Sequence, residues 1–402
     1  MTNNSSPLHS LREGHWFKLI CGASFQHLPA VRNLTLVYTL AGADCIDVAA
    51  DPAVIAAAKE ALETAVIFGE EAQRRGFGFQ GLPLLMVSLN DGEDPHFRKA
   101  EFDANECPTQ CPRPCESICP AQAIVFDRLN NNFSGVVDQL CYGCGRCIPV
   151  CPSNLIFTRA YVSTPEAVAP LVLQTFVDAV EIHTQVGRLA DFQRLWRAIA
   201  PWLNQLKVIA ISCPDGEGLI NYLWSLYDLI KPLPCELIWQ TDGRPMSGDI
   251  GAGTTHAAIK LGQKVLAAGL PGYVQLAGGT NNHTVTKLKA VDLLNCKSGD
   301  EATILLENPT PQYSPKTETQ NYIAGIAYGS FARVLLSPIL DRLETAGAKT
   351  NSSSASLILP QPRVNLEELP ELLWQAVALA DSLVSQIKSP RKTRLTTNEI
   401  EV

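Results

Sequence analysis

Eight of the thirteen cysteines lie between Cys107 and Cys151, in two runs that each end in Cys-Pro. The second run reads Cys141-x2-Cys144-x2-Cys147-x3-Cys151-Pro152, a spacing that holds a [4Fe–4S] cluster. The first reads Cys107-x3-Cys111-x3-Cys115-x3-Cys119-Pro120, a looser form of the same pattern. Thiolates two or three residues apart on a tight turn can converge on one cube of iron and sulfide. The terminal proline keeps the chain from continuing back through it. Gly143 and Gly145 lack the Cβ atoms that would obstruct a close backbone approach to sulfide. Iron–sulfur redox chemistry is the starting expectation.

The ordinary alternatives fit less well. Disulfides need an oxidising compartment, and Met1–Pro7 is polar, with no charged region leading into an apolar one. A structural zinc site usually takes two Cys pairs a dozen or more residues apart, not two four-Cys runs. In two-cluster ferredoxins the fourth Cys of each run ligates the other cluster. Carried over, Cys107, Cys111, Cys115 and Cys151 hold cluster 1, and Cys141, Cys144, Cys147 and Cys119 hold cluster 2. The intervening residues agree with that order. Ala121–Asp127 is strand-like, Asn130-Asn131-Asn132 reads as a turn, and Gly135–Asp138 leads into the second run. The wider spacing of the first run makes its cluster the one expected to be strained, labile or one iron short, as [3Fe–4S]. Arg113 and Arg146 read first as solvated charges and second as groups that tune cluster potential.

Composition narrows the class. The chain has 402 residues, 46% apolar and only 18% charged, which fits an α/β protein with a large buried core. A net charge of −8, with no basic patch beyond Lys388–Arg394, argues against nucleic-acid binding. The longest apolar stretch, Ala167–Val180, contains Gln174 and Asp178 and is too short to span a bilayer. A soluble, cytoplasmic protein is expected.

Around the cysteines, short β-branched runs alternate with longer helical patterns, which argues for parallel βα units. Strands are predicted at Lys18–Gly22, Cys45–Ala49, Leu82–Leu89, Ala179–His183, Lys207–Ser212, Cys235–Gln240, Tyr273–Ala277 and Ile323–Ala327. Helices are predicted at Pro29–Ala41, Pro52–Arg75, Leu189–Leu203, Leu219–Ile230, Thr255–Ala268, Phe331–Leu343 and Glu371–Ile387. Eight strands with intervening helices predict an α/β fold of the (β/α)8 TIM-barrel type, with an inserted two-cluster ferredoxin-like segment. An open doubly wound sheet is the runner-up. The expected units are residues 14–102 and 159–345 for the barrel, 103–158 for the insert, and 346–402 for a Ser/Pro-rich loop, closing helix and disordered tail. Asn308–Gln320 reads as an irregular Pro/Thr-rich connection.

A barrel gathers its ligands at the C-terminal strand ends. Here that mouth would hold Ser24, Asp51, Asn90, His183, Ser212, Cys213, Gln240, Asp242, Gly278, Gly279 and Tyr328. Gly278-Gly279-Thr280-Asn281-Asn282 could cradle an anion, or could simply start a helix. His183, Asp51 and Asp242 are acid–base candidates, with capping or strand-end roles as the plainer reading. Thr241–Pro245 is turn chemistry first. Cys21, Cys45, Cys213, Cys235 and Cys296 are spaced like buried small hydrophobes. No Ser-His-Asp signature, P-loop or Gly-x-Gly-x-x-Gly after a strand is evident. No catalytic constellation can be assembled from the sequence.

Several segments together carry a family resemblance. They are His15–Ser24, Ala41–Asp51 and Asp94–Lys99 ahead of the cysteine runs, and Asp249–Thr255 and Gly278–Asn281 after them. With these, the chain from about residue 14 to 345 resembles the cyanobacterial light-dependent period (LdpA) family. The resemblance implies an iron–sulfur protein relaying light-dependent redox state to the circadian clock, in association with clock input and kinase proteins. A redox sensor with no catalytic residue is the expected function. The alternative is a barrel oxidoreductase whose clusters pass electrons to a substrate or flavin at the mouth.

Overall fold

The alternation of β-branched runs and amphipathic segments closes into a barrel in the computed structural model. It describes residues 6–22, 27–92, 98–119, 122–126, 134–137, 140–141, 147–160, 169–170, 172–244, 251–295, 321–349 and 364–388. From the N-terminus, α1 (Pro7–Glu13) leads into β1 (Trp16–Gly22), α2 (Leu28–Ala41), β2 (Cys45–Ala49), α3 (Pro52–Arg74) and β3 (Leu84–Asn90). The cysteine-bearing stretch holds β4 (Arg98–Glu101), α4 (Pro114–Ile118), β5 (Ile124–Phe126), β6 (Ser134–Val136) and β7 (Phe157–Ala160). The βα alternation resumes with β8 (Ala179–His183), α5 (Leu189–Ile199), β9 (Val208–Pro214), α6 (Leu219–Ile230), β10 (Glu236–Asp242) and α7 (Thr255–Leu266). It finishes with β11 (Tyr273–Ala277), α8 (Thr284–Ala290), β12 (Gly325–Tyr328), α9 (Ser330–Lys349) and α10 (Pro370–Val384).

Eight of these strands form one closed, all-parallel barrel in the order β1-β12-β11-β10-β9-β8-β3-β2. This is the TIM-barrel-like topology, and the doubly wound alternative falls. Strands such as β2 are buried at every position because helices cover one face and the barrel interior the other. The largest apolar cluster fills the space between barrel and helices, with Phe17, Tyr38 and Tyr328 stacked in it. A second, smaller cluster plugs the lower interior around Trp16, Met86, Val208 and Ile238. Gly325 sits beside Trp16 because a Cβ there would lie 2.5 Å from Trp16 Cδ1.

The differences from expectation are local. Leu189–Leu203 divides at Ile199, where Pro201 turns the chain into a 3-10 segment, Ala200–Gln205. The Pro7–Glu13 helix was not foreseen, although Ser6 caps it, Pro7 opens it and Gly14 closes it at φ 79°. Its Leu11 joins Trp16 in the lower plug. Strands β4 and β7 were also not foreseen. They pair antiparallel, from Arg98↔Ala160 to Glu101↔Phe157, and so bracket the cysteine segment where it leaves and rejoins the barrel.

Candidate functional site

Within that bracket the short strands β5 and β6 pair antiparallel, Ile124 with Val136, as the Ala121–Asp127 and Gly135–Asp138 readings require. The connection between them lies outside the described residues. Cys115, Cys141 and Cys147 are buried in one small core with Ala100, Phe102, Ala123, Ile124 and Ile156. Cys119 and Cys151 pack against that same core, so cysteines from both runs meet in it. Cys144, Gly143, Gly145 and Arg146 lie outside the described residues, as do Ser24 and Cys296.

Two backbone amides point at sulfur. Ala100 N–H donates to Cys141 Sγ at 3.4 Å, and Ala123 N–H donates to Cys119 Sγ at 3.2 Å. Burial pushes the Cys151 thiol up, but amides of Leu155, Ser153, Ile156 and Asn154 outweigh it and hold the thiol below its ordinary value. Such donors favour thiolate, the form that ligates metal. Cys107 is pushed up by burial and by neighbouring Cys111, with Cys151 adding to the effect and Arg113 opposing it. Burial pushes Cys115 up to about 11, with contributions from Cys151 and Cys111. Cys107, Cys111, Cys115 and Cys151 therefore lie within electrostatic reach of one another.

No disulfide joins the described cysteines, and among the described residues no three His, Cys, Asp or Glu are grouped to hold a single metal ion. The donor set is all sulfur, partly dry and supplied with N–H donors. It suits an iron–sulfur cluster. Arg113 is more than a solvated charge. It adopts φ 55° to turn the chain into α4, and its guanidinium lies 4.3 Å from the Phe126 ring centroid. Phe126 in turn packs on Phe102 at 5.7 Å.

Besides Gln240, which the sequence placed at the mouth, the barrel interior holds polar residues that sequence reasoning missed. Lys18 of β1 is fully buried, ion-paired with Glu181 of β8 and, at 2.9 Å, with Asp47 Oδ2 of β2. Gln240 Nε2 donates to Glu181 Oε1 at 2.6 Å, and Ser88 Oγ donates to Asp47 Oδ1 at 2.8 Å. Gln275 Nε2 donates to Gln240 Oε1 at 2.6 Å, and Gln275 Oε1 accepts from Trp16 Nε1–H at 2.6 Å. Burial, reinforced by Glu181, pushes Asp47 up to about 7 against the pull of Lys18. Burial also opposes the Glu181 charge, yet Lys18 and then His183 overcome it and hold the carboxyl down at about 2. The signal was a charged or amide residue in the middle of each of four strands otherwise apolar there, at Lys18, Asp47, Glu181 and Gln240.

At the mouth the acid–base candidates separate. Asp51 caps α3, accepting from Ala53 N–H at 2.8 Å and Val54 N–H at 3.4 Å, which is its plainer reading. His183, with its side chain 30% exposed, sets Nε2 3.1 Å from Glu181 Oε1. Asp242 accepts from Ser212 Oγ at 3.1 Å. Tyr328 and Cys213 belong to the barrel–helix core rather than the mouth, and Cys21, Cys45 and Cys235 are buried, as read. The Gly278–Asn281 loop is closed on itself. Thr280 Oγ1 donates to Ala327 O, and Asn281 Nδ2 donates to Gly251 O, so these side chains are spent on packing the turn.

Two family descriptions match the chain. One, the LdpA Fe–S cluster-binding domain, covers residues 107–162 and so spans both cysteine runs. The other, the Light dependent period A C-terminal domain, covers residues 171–386. A relative from Synechococcus elongatus, named "Light dependent period A", is 48% identical over 384 residues, 96% of this chain and 94% of its own. The chain belongs to the light-dependent period A family. In LdpA terms the first description takes in the β5–β6 core, and its content supports an iron–sulfur cofactor there. The second takes in β8 to α10, which complete the barrel and cover it. Among the described residues of this LdpA chain no helix is long and apolar enough to cross a membrane.

Proposed function

We propose that this LdpA protein is an iron–sulfur redox sensor that relays cellular redox state, set by light, to the circadian clock. The observation that carries the proposal is the joint core of the two cysteine runs, in which Cys151 of the second acts on Cys107 and Cys115 of the first. That favours the crossed assignment, with Cys107, Cys111, Cys115 and Cys151 on one cluster and Cys141, Cys144, Cys147 and Cys119 on the other, inside a ferredoxin-like unit spanning 103–158. When bound, such clusters supply a reversible one-electron change of charge. The chain's own residues do the rest. The thiols hold the clusters, the amides of Ala100 and Ala123 donate to sulfur, and Phe102 and Ile156 exclude water.

One added charge a few ångström from a partly desolvated group is worth on the order of 1–4 kcal/mol. That is enough to shift a binding equilibrium tenfold or more if a partner discriminates between the two states. The partners the resemblance implies are clock input and kinase proteins, reached in the cytoplasm. The test compares partner pull-down from cell extract using oxidised, reduced and Cys147→Ser protein, and scores the clock period in cells carrying that variant. State-dependent capture and a changed period are expected. Identical partners in all three states with an unchanged period would sink the sensor and favour the oxidoreductase, whose mark would be a flavin spectrum beside the iron–sulfur absorbance.

A further inference from the structure

A second group of titratable side chains lies at the barrel mouth. Glu181 is fully buried, yet its carboxylate reaches one titratable side chain that water also reaches, His183. The two residues are two apart on β8 and so face the same side of the sheet, into the barrel. His183 Nε2 is itself buried, makes no hydrogen bond, and lies 3.1 Å from Glu181 Oε1 as a close charge contact. Behind Glu181, Lys18 and Gln240 hold the carboxylate still, so it can orient the ring above it.

On β10, two strands away, Asp242 is held by Ser212 Oγ and lies close enough to His183 for the imidazole to act on its carboxyl. The titratable groups facing this pair are Lys18, Asp47, Glu181 and, behind Asp242, Cys213. The acids of the layer outnumber its lysine, which disfavours an anionic ligand. A dry carboxylate backing an accessible imidazole, with a second carboxyl beside it, is the layout of general acid–base chemistry.

We propose that the barrel mouth is a proton-transfer site for a small uncharged hydroxy- or carbonyl compound. His183 is the base that touches it, Asp242 the carboxyl beside it, and Glu181 the positioning residue. In that step His183 Nδ1 takes the proton of a C–H beside the ligand's carbonyl, the C–H electron pair forms a C=C bond as the C=O pair moves onto oxygen, and that oxygen takes the proton of the Asp242 carboxyl, which leaves a carboxylate beside the protonated His183. No electron changes hands. None of these residues belongs to the cysteine core, so the site can fail without touching the redox-sensor reading, and the reverse holds too.

The test uses the whole protein with its clusters loaded and hydroxyacetone as the probe ligand. Nitrogen chemical shifts of labelled histidine should show His183 as a single tautomer protonated at Nε2, and Glu181→Gln should mix the two tautomers. Diethyl pyrocarbonate should modify His183, and hydroxyacetone should slow that reaction by roughly tenfold at saturation of about 90% of sites, leaving exposed His256 unaffected. Asp242→Asn should abolish the protection while circular dichroism and iron content stay unchanged. If Glu181→Gln fails to fold, the wild-type tautomer and the Asp242→Asn protection assay still decide. Mixed tautomers in the wild type, or His183 unprotected by hydroxyacetone, would overturn the proposal. Protection by methylammonium or acetate in place of hydroxyacetone would overturn the ligand class.

Discussion

The thiol of Cys115, third cysteine of the first run, is pushed up to about 11 by burial and in part by the thiol of Cys151, last cysteine of the second. The two come together because β4 and β7 pair, so the chain leaving the barrel at Arg98 and the chain returning at Ala160 bracket one core. A run that kept its four cysteines to itself would not need that contact. The relationship decides how the cysteines should fail.

If the crossed assignment holds, Cys119→Ser damages the cluster on Cys141, Cys144 and Cys147, and leaves the one on Cys107, Cys111 and Cys115 mostly intact. Electron paramagnetic resonance of the reduced variant identifies the missing signal. Loss confined to the first run's own cluster would mean that each run is self-contained.

Protein purified without oxygen should contain roughly eight irons and eight sulfides, two complete cubes. On exposure to air the cluster on the widely spaced first run should decay first, passing through a three-iron form. Iron and sulfide analysis with absorbance spectra follows both steps. A zinc-only preparation would end the iron–sulfur reading.

Lys18 lies between two carboxyl groups in a dry barrel and offsets the charge of Glu181, so Lys18→Met leaves Glu181 buried without its cation. Removing one partner of such a pair costs about 3–5 kcal/mol. Adding Glu181→Gln and Asp47→Asn should recover most of that loss, because no buried charge then remains uncompensated. Denaturant unfolding of the single and triple variants measures both. A single-variant loss under about 1 kcal/mol would show that water reaches the layer.

Asp47 fixes a pH dependence. In the folded protein it keeps its proton up to about 7, whereas the unfolded side chain releases it near its ordinary 3.8. Between those values the native state binds more protons, so this group's contribution to stability falls as pH rises. The slope reaches about 1.4 kcal/mol per pH unit. Glu181 has the opposite sign. Its carboxyl is held at about 2 against an ordinary 4.5, so its contribution rises with pH across that lower window. The difference in unfolding free energy between wild type and Asp47→Asn should therefore decline from about pH 4 to 7. A difference that stays flat there would mean Asp47 is ionised throughout.

The iron–sulfur character of the cysteine segment was legible because such cofactors draw thiolates from closely spaced cysteines, and sequence distance then stands in for spatial distance. The βα rhythm was legible for a similar reason, since strands buried on both faces read as near-continuous apolar runs, such as residues 84–87 at the start of β3. Helix ends were blurred where two local signals compete, as at Pro201. The Arg98–Glu101 strand carries three charges in four residues and gave no β signal. It forms because Phe157–Ala160, far along the chain, lies beside it.

By itself, then, the sequence determined the chemistry of the cysteine segment and the alternation that builds the barrel, both properties of short windows. Barrel closure decided the rest. Lys18, Asp47, Glu181 and Gln240 sit on four strands spread across the chain and look like isolated polar interruptions until the sheet curls and places them in one layer. Once buried together they must share protons and charge, because desolvation forbids each from ionising alone. His183 takes its role the same way, from a carboxylate that only the barrel's interior holds dry.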